Sequence, residues 1–254
     1  FINKNDYFGD LRYAYGDLIL FRWLYYCFYH NLDTIRLYDY DPLTPSPGVV
    51  VRDAGREYGV NARENKFHLM LKTPNFPFHA YFDGFYLAKD GDLQQRNLLG
   101  SGFFNNMQRA SQSRSSDNTT RIYTIGANSH LGLVEVDIAH TEKRFDVDSD
   151  PVLEDAYTAS GYRPAGVYEH SRIPELEGSG NSVKIHSSYT GQWVASASIL
   201  QNDRENNYSG AKSDVLIGAG SLRWNPMTSL AFALRYTHRD LDNENPASTG
   251  SSAD

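Results

Sequence analysis

The chain has 254 residues, a formal net charge of −7 and 40% hydrophobic residues, with eighteen tyrosines within an aromatic content of 13%. A mean hydropathy of −0.54 and the lack of any apolar run of about twenty residues exclude a helical membrane protein. The acidic balance excludes nucleic acid as a partner, because neutralising phosphates takes a basic surface that the composition does not offer, and the lone cysteine, Cys27, leaves neither an intrachain disulfide nor a CxxC pair.

Taken in chain order, residues 10–15 and 18–29 read as two strands that share Gly16 and Asp17 as a turn. The second is the longest apolar stretch, rich in aromatics and broken by Arg22, which favours strand over helix. Cys27 lies within it and reads as a buried or lipid-facing small apolar residue. Residues 43–51, with Pro42, Pro45, Pro47 and Gly48, read as loop. A strand pair follows at 67–73 and 78–88 across Pro74, Asn75, Phe76 and Pro77, and then a long polar loop over about 89–118. The next pair, 119–129 and 131–141, is joined tightly around His130 and Gly132 and is followed by a second long loop over about 142–181. Residues 182–190 and 193–202 pair around Gly191, with a polar loop at 203–212; residues 213–224 and 229–238 pair across 225–228, where Pro226 stands outside both strands. A last loop begins at Asp240.

Within these strands one parity is apolar and the other polar. Val134, Val136 and Ile138 oppose Glu135 and Asp137; Trp193, Ala195, Ala197 and Ile199 oppose Ser196 and Ser198; Phe232, Leu234 and Tyr236 oppose Arg235 and Thr237. That is the pattern of a wall with lipid on one side and a wet lumen on the other. The segments run to about nine to twelve residues, matching the length a tilted strand needs to cross hydrocarbon. Aromatics gather toward strand ends, as at Tyr81, Tyr86, Trp193, Trp224 and Tyr236, where amphipathic rings settle at headgroup level. A soluble sandwich explains the alternation but not the strand lengths, the short-then-long connections and the aromatics together. The expected fold is therefore all-β, an antiparallel up-and-down transmembrane β-barrel of about ten visible strands, residues 1–254 forming one barrel domain or a portion of a larger barrel. The Ser-, Gly- and Ala-rich stretch 247–254 ends no strand, and we expect a portion.

The motifs that would carry chemistry are sparse. With no CxxCH, the chain has no attachment site for c-type haem, and the eight histidines form no HExxH or other compact ligand spacing. Asp146, Asp148 and Asp150 open like a calcium loop, but Pro151 and Tyr157 occupy its glycine and glutamate positions. There is no GxSxG, and we expect no enzymatic activity. By parity, His79, Asp83, Glu135, Asp137, Lys184, His186, Arg235 and Arg239 are the candidate lumen-facing residues. They mix both signs, which fits a polar lining without strong ion selectivity.

Several short segments resemble the MtrB/PioB-type decahaem-associated outer-membrane barrels, the porin component of porin–cytochrome conduits. They are Tyr29, His30, Asn31 and Leu32; Pro74 onward to His79; Lys89, Asp90, Gly91, Gln94, Gln95 and Arg96 with Leu99, Gly100 and Ser101; Asn206 onward to Gly210; Leu222, Arg223, Trp224, Asn225 and Pro226; and Leu234, Arg235 and Tyr236. Their order along the chain carries the resemblance more than any one of them. The N-terminal cysteine motif of some members is not seen here, which leaves the subgroup open. The resemblance implies a large barrel in the bacterial outer membrane, sheathing a multihaem c-type cytochrome so that electrons cross while the barrel insulates them. Haem would then sit only on the partner. A general or solute-specific porin is the alternative expectation.

Overall fold

The computed structural model describes residues 6–32, 48–99, 108–157, 159, 164–187 and 192–245. Among them there is no helix, and thirteen strands follow one another. They are β1 Tyr7–Tyr15, β2 Ile19–Leu32, β3 Gly48–Val51, β4 Tyr58–Lys72, β5 Phe78–Leu99, β6 Gln108–Leu131, β7 Val134–Val147, β8 Val152–Tyr157, β9 Gly166–Arg172, β10 Leu176–Ser187, β11 Trp193–Asn206, β12 Lys212–Met227 and β13 Leu230–Glu244. Ten form one antiparallel up-and-down path, β1-β2-β4-β5-β6-β7-β10-β11-β12-β13, with β1 and β13 as its two edges. β3 joins the same sheet beside β6, in parallel, and β8–β9 is a separate hairpin. The expected all-β, up-and-down architecture is present; among the described residues the sheet does not close on itself.

The short connections form where the chain supplies residues tolerant of a left-handed backbone. Gly16 (φ 51°) turns β1 into β2, Asn75 (φ 60°) turns β4 into β5, and Gly132 (φ 67°) turns β6 into β7. All of these turns lie at one end of the sheet. Pro226, expected outside the strands, falls inside β12, where the register slips between Trp224 and Met227. A bulge leaves a residue unpaired, so a proline is accommodated there without losing a ladder bond.

At the other end the strands run far past the expected boundaries. β5 has 22 residues and β6 has 24, paired without a break from Phe78↔Ser129 to Leu99↔Gln108. Most of the loop expected at 89–118 is therefore strand. The loop expected at 142–181 is likewise the end of β7, the β8–β9 hairpin and the start of β10. The loop at 203–212 shrinks to residues 207–211, β13 continues through Asp240 to Glu244, and Val49–Val51 belong to β3 rather than to a loop. Pro42, Pro45 and Pro47 lie outside the described residues. The physical reason is shared by all these corrections. Beyond the bilayer both faces of a strand meet water, so the ladder hydrogen bonds persist while the apolar alternation that announces a strand disappears.

Burial follows the same division. The buried hydrophobic residues, Tyr58, Ala62, Ala88, Ala110 and Leu153, all belong to the long-connection end. There the chain leaves β3 and crosses back from β6 over β5 to β4. Asp53 is the node of that crossing: it accepts hydrogen bonds from Ser111 Oγ (2.5 Å), Tyr58 OH (2.6 Å) and Gln94 Nε2 (3.0 Å), and is only 3% exposed. Arg52 ties the same segment to β8 through both Asp155 carboxylate oxygens, at 2.8 and 3.2 Å. Burial opposes ionisation of Asp53, but its three side-chain donors outweigh it and hold the carboxyl below the ordinary 3.8. Burial and the neighbouring Asp53 push Tyr58 up to about 12.

The face that holds Phe78, Ala80, Phe82 and Tyr86 on β5 carries an uncovered apolar stretch. Leu234 is 68% exposed and Ile125 63%. Trp193, Trp224 and Phe232 lie on one row of this face near the turns and stack, with centroids 5.0 and 5.5 Å apart. The apolar stretch climbs across the sheet. Leu11 of β1 shares its row with Asp242 of β13, far from Leu234, so a belt level with the membrane requires tilted strands, at roughly 30° from the stagger. Within the belt Phe67, Phe82 and Tyr123 cluster over Gly84, where a Cβ would come within 1.9 Å of the Phe67 ring.

Two outcomes follow. Gly84→Val should destabilise the folded protein in detergent by about 1–3 kcal/mol, read as a lower urea midpoint of its electrophoretic folded band, and Phe67→Ala in the same chain should recover part of the loss. For Asp53, a depressed carboxyl stabilises the fold above its ordinary value and loses that contribution as pH falls through the lower folded value. The crossing at residues 48–58 should thus loosen below about pH 4 by hydrogen exchange. Asp53→Asn should cost about 2 kcal/mol at neutral pH and flatten that acid limb; an unchanged limb would assign it to another group.

Candidate functional site

The face opposite the belt is polar, and the registers place all eight candidate residues on it. His79, Asp137 and Lys184 share one row with Asn128 between them. Glu135, His186 and Arg235 share the next row toward the turns. Asp83 lies opposite His68, and Arg239 opposite Ile217, on the same face. Parity thus put the eight residues on one face, as the registers do, because a period of two is a property of each strand by itself.

Parity did not show which of these groups meet. Glu135 collects Asn128 Nδ2 at 2.9 Å and His130 Nε2 at 3.4 Å from β6 and His186 Nε2 at 3.1 Å from β10. His68 Nδ1 and Asp83 Oδ1 are 2.6 Å apart. Tyr81, expected at an interface, lies on the wet face instead. Its ring crosses Gly126, where a Cβ would fall 2.2 Å from it, and its hydroxyl donates to Asp137 at 3.2 Å. A glycine on β6 therefore lets a tyrosine of β5 reach a carboxylate on β7.

The cations are distributed differently. Among the described residues Lys184, Arg235 and Arg239 pair with no carboxylate, nor do Lys143 and Arg204 on the same face. On β10–β13 that face carries Lys184, Arg204, Arg223, Arg235 and Arg239 and no Asp or Glu. On β11–β13 the belt-side parity carries Asp203, Glu205, Asp214, Asp240, Asp242 and Glu244 against Lys212. The face as a whole mixes signs, with Asp83 on β5 and Glu135 and Asp137 on β7, while its β10–β13 stretch is uniformly basic. Composition could not reveal it, because the two faces nearly cancel within each strand.

No three His, Cys, Asp or Glu residues converge as a metal site among the described residues. The Asp146, Asp148 and Asp150 run leaves the end of β7, and its three carboxylates take separate partners. Asp146 meets Arg144 (2.5 Å) and Arg121 (3.7 Å), Asp148 accepts from Thr119 Oγ1 (3.4 Å), and Asp150 accepts the Val152 N–H (3.0 Å).

No family model matches the chain, and no curated protein matches it. Among solved structures it is similar to OmpTdeltaL8, a loop L8 deletion mutant of OmpT, an outer membrane protein of Vibrio cholerae. The TM-score is 0.45 at 9% identity, over 92% of this chain and 84% of that one. It is similar also to in-vitro folded OmpT of Vibrio cholerae, at TM-score 0.44 and 9% identity, over 91% of this chain and 77% of that one. A likeness at 9% identity concerns the fold, that of an outer-membrane β-barrel, and assigns no residue. The expectation that the chain is not an enzyme is corrected beside these findings. It rested on missing contiguous motifs, whereas this fold assembles imidazole–carboxylate pairs such as His68–Asp83 and His186–Glu135 from separate strands. Motif spacing has no reach there.

The Tyr81–Asp137 bridge is directly testable by a double-mutant cycle. Tyr81→Phe and Asp137→Asn should each lower the unfolding free energy in detergent by about 1 kcal/mol, and the double variant by less than their sum. Full additivity would mean that the two groups do not interact.

Proposed function

We propose that this chain forms part of the wall of a bacterial outer-membrane β-barrel that sheathes a multihaem c-type cytochrome and supports electron transfer across the outer membrane. The observation that carries the reading is the division of one sheet into an uncovered apolar face and a polar face with pairable groups, which gives lipid and a hydrophilic occupant opposite sides of the same wall. The β1 and β13 edges add a geometric argument. An unpaired backbone edge is untenable in hydrocarbon, so both must be paired in the membrane. Ten strands closed on themselves leave an interior only wide enough for side chains or a small solute, whereas a haem protein needs more strands, because diameter grows with strand number. The ordered resemblance of segments such as Leu222, Arg223, Trp224, Asn225 and Pro226 to porin–cytochrome barrels supports the larger assembly.

A second reading, a general or solute-specific porin, is favoured by the unpaired cations of the wet face, which suit an open aqueous path. Purification of the detergent-extracted protein from its own host, with haem staining and planar-bilayer conductance, separates the two. The sheath reading expects a haem-stained partner in constant ratio and almost no conductance. A haem-free preparation that conducts would replace it with the porin.

A further inference from the structure

On the wet face, between β7 and β13, lies a cavity of about 730 Å³, within the range of small-molecule sites. On the wet-face parity Lys143, Arg204 and Arg239 supply its charge, and Phe145, Val215 and Leu241 an apolar floor. Lys143 and Arg204 lie on one row, on either side of Gly178 of β10, about 10 Å apart by strand spacing. Arg239 comes from β13, four positions toward the turns from that row's Asn243. Gly178 keeps the centre of the row low: a Cβ there would meet the Asp203 carbonyl oxygen at 2.7 Å.

Three cations from three strands thus surround a shallow apolar floor, and among the described residues none of the three is ion-paired to a carboxylate. The carboxylates on this face of β7, Glu135 and Asp137, stand near the turns and are engaged by His130, His186 and Asn128 and by Tyr81. Glu177 and Asp203 also border the cavity but belong to the opposite parity, Glu177 paired with Arg144, so the three cations dominate the wet side of the depression and raise the local concentration of anions. Guanidinium groups favour carboxylate and phosphate geometry, and the floor rewards a carbon skeleton over a bare ion.

We propose that this cavity binds a small organic anion bearing two or more carboxylates on an apolar frame. The inference goes beyond the sheath reading and holds whether the lumen surrounds a cytochrome or solution.

The test uses the full chain folded in detergent micelles and equilibrium dialysis of benzene-1,3,5-tricarboxylate, with inorganic phosphate as comparator. Saturable tricarboxylate binding is expected, at least tenfold tighter than phosphate and weakened as salt rises from about 50 to about 500 mM. Lys143→Gln with Arg204→Gln and Arg239→Gln should lower affinity at least tenfold. Arg239→Gln alone, on the exposed edge strand, should lower it about threefold and covers the case in which the triple variant fails to fold. Asp214→Asn with Asp242→Asn, on the other face and outside the cavity lining, should leave binding unchanged. Absent binding, wild-type affinity in the Arg239 variant, loss in the opposite-face variant, or phosphate binding as tight as tricarboxylate would each overturn the assignment. Failure of the sheath reading would appear separately, as missing haem in the co-purification.

Discussion

The structure depends on a single layer of antiparallel ladder separating two environments that make opposite demands on side chains. On the interior strands the main-chain donors and acceptors pair with a neighbour on each side, which is what allows Ile125 and Ile199 to stand uncovered on one face. A soluble sandwich would need a second layer over those residues. Here the belt face is left bare, and dense packing is confined to the end where the chain leaves the bilayer. The same ladder explains why strand length and apolar length differ. The belt sets how much of each strand meets lipid, while backbone pairing sets how far the strand continues into water.

That constraint also governs charge. A carboxylate can occupy the belt-side parity only beyond the apolar stretch, and Asp203, Asp214, Asp240 and Asp242 do so together at the long-connection end. The wet parity has no such restriction along its length, and on β10–β13 it holds only cations. The chain's net charge of −7 therefore describes neither face. The polar pairs on the wet face have a different role. Tyr81 over Gly126 to Asp137, and Glu135 among His130 and His186, tie strands β5, β6, β7 and β10 to each other, while Lys184, Arg204, Arg235 and Arg239 have no carboxylate partner among the described residues.

The far end of the sheet is organised by water-side chemistry. Asp53 joins Ser111, Tyr58 and Gln94 from three strands under a crossing segment, and Arg52 brings the β8–β9 hairpin onto the same region through Asp155. These groups are polar, so their organisation leaves no hydrophobic signal. The region reads as loop in one dimension and is a layered cap in three.

From the sequence alone came the all-β class, the turn end at Gly16, Asn75 and Gly132, the apolar belt, and the face shared by His79, Asp83, Glu135, Asp137, Lys184, His186, Arg235 and Arg239. Each of these follows from local rules: a two-residue side-chain period, and the few residues that accept a left-handed backbone. Only the tertiary structure decided which of those residues meet, where β3 inserts, how far β5 and β6 extend, and that the wet face is basic from β10 to β13. Those depend on register between segments remote in sequence, and a one-residue change of register exchanges every face while leaving each strand's own pattern intact.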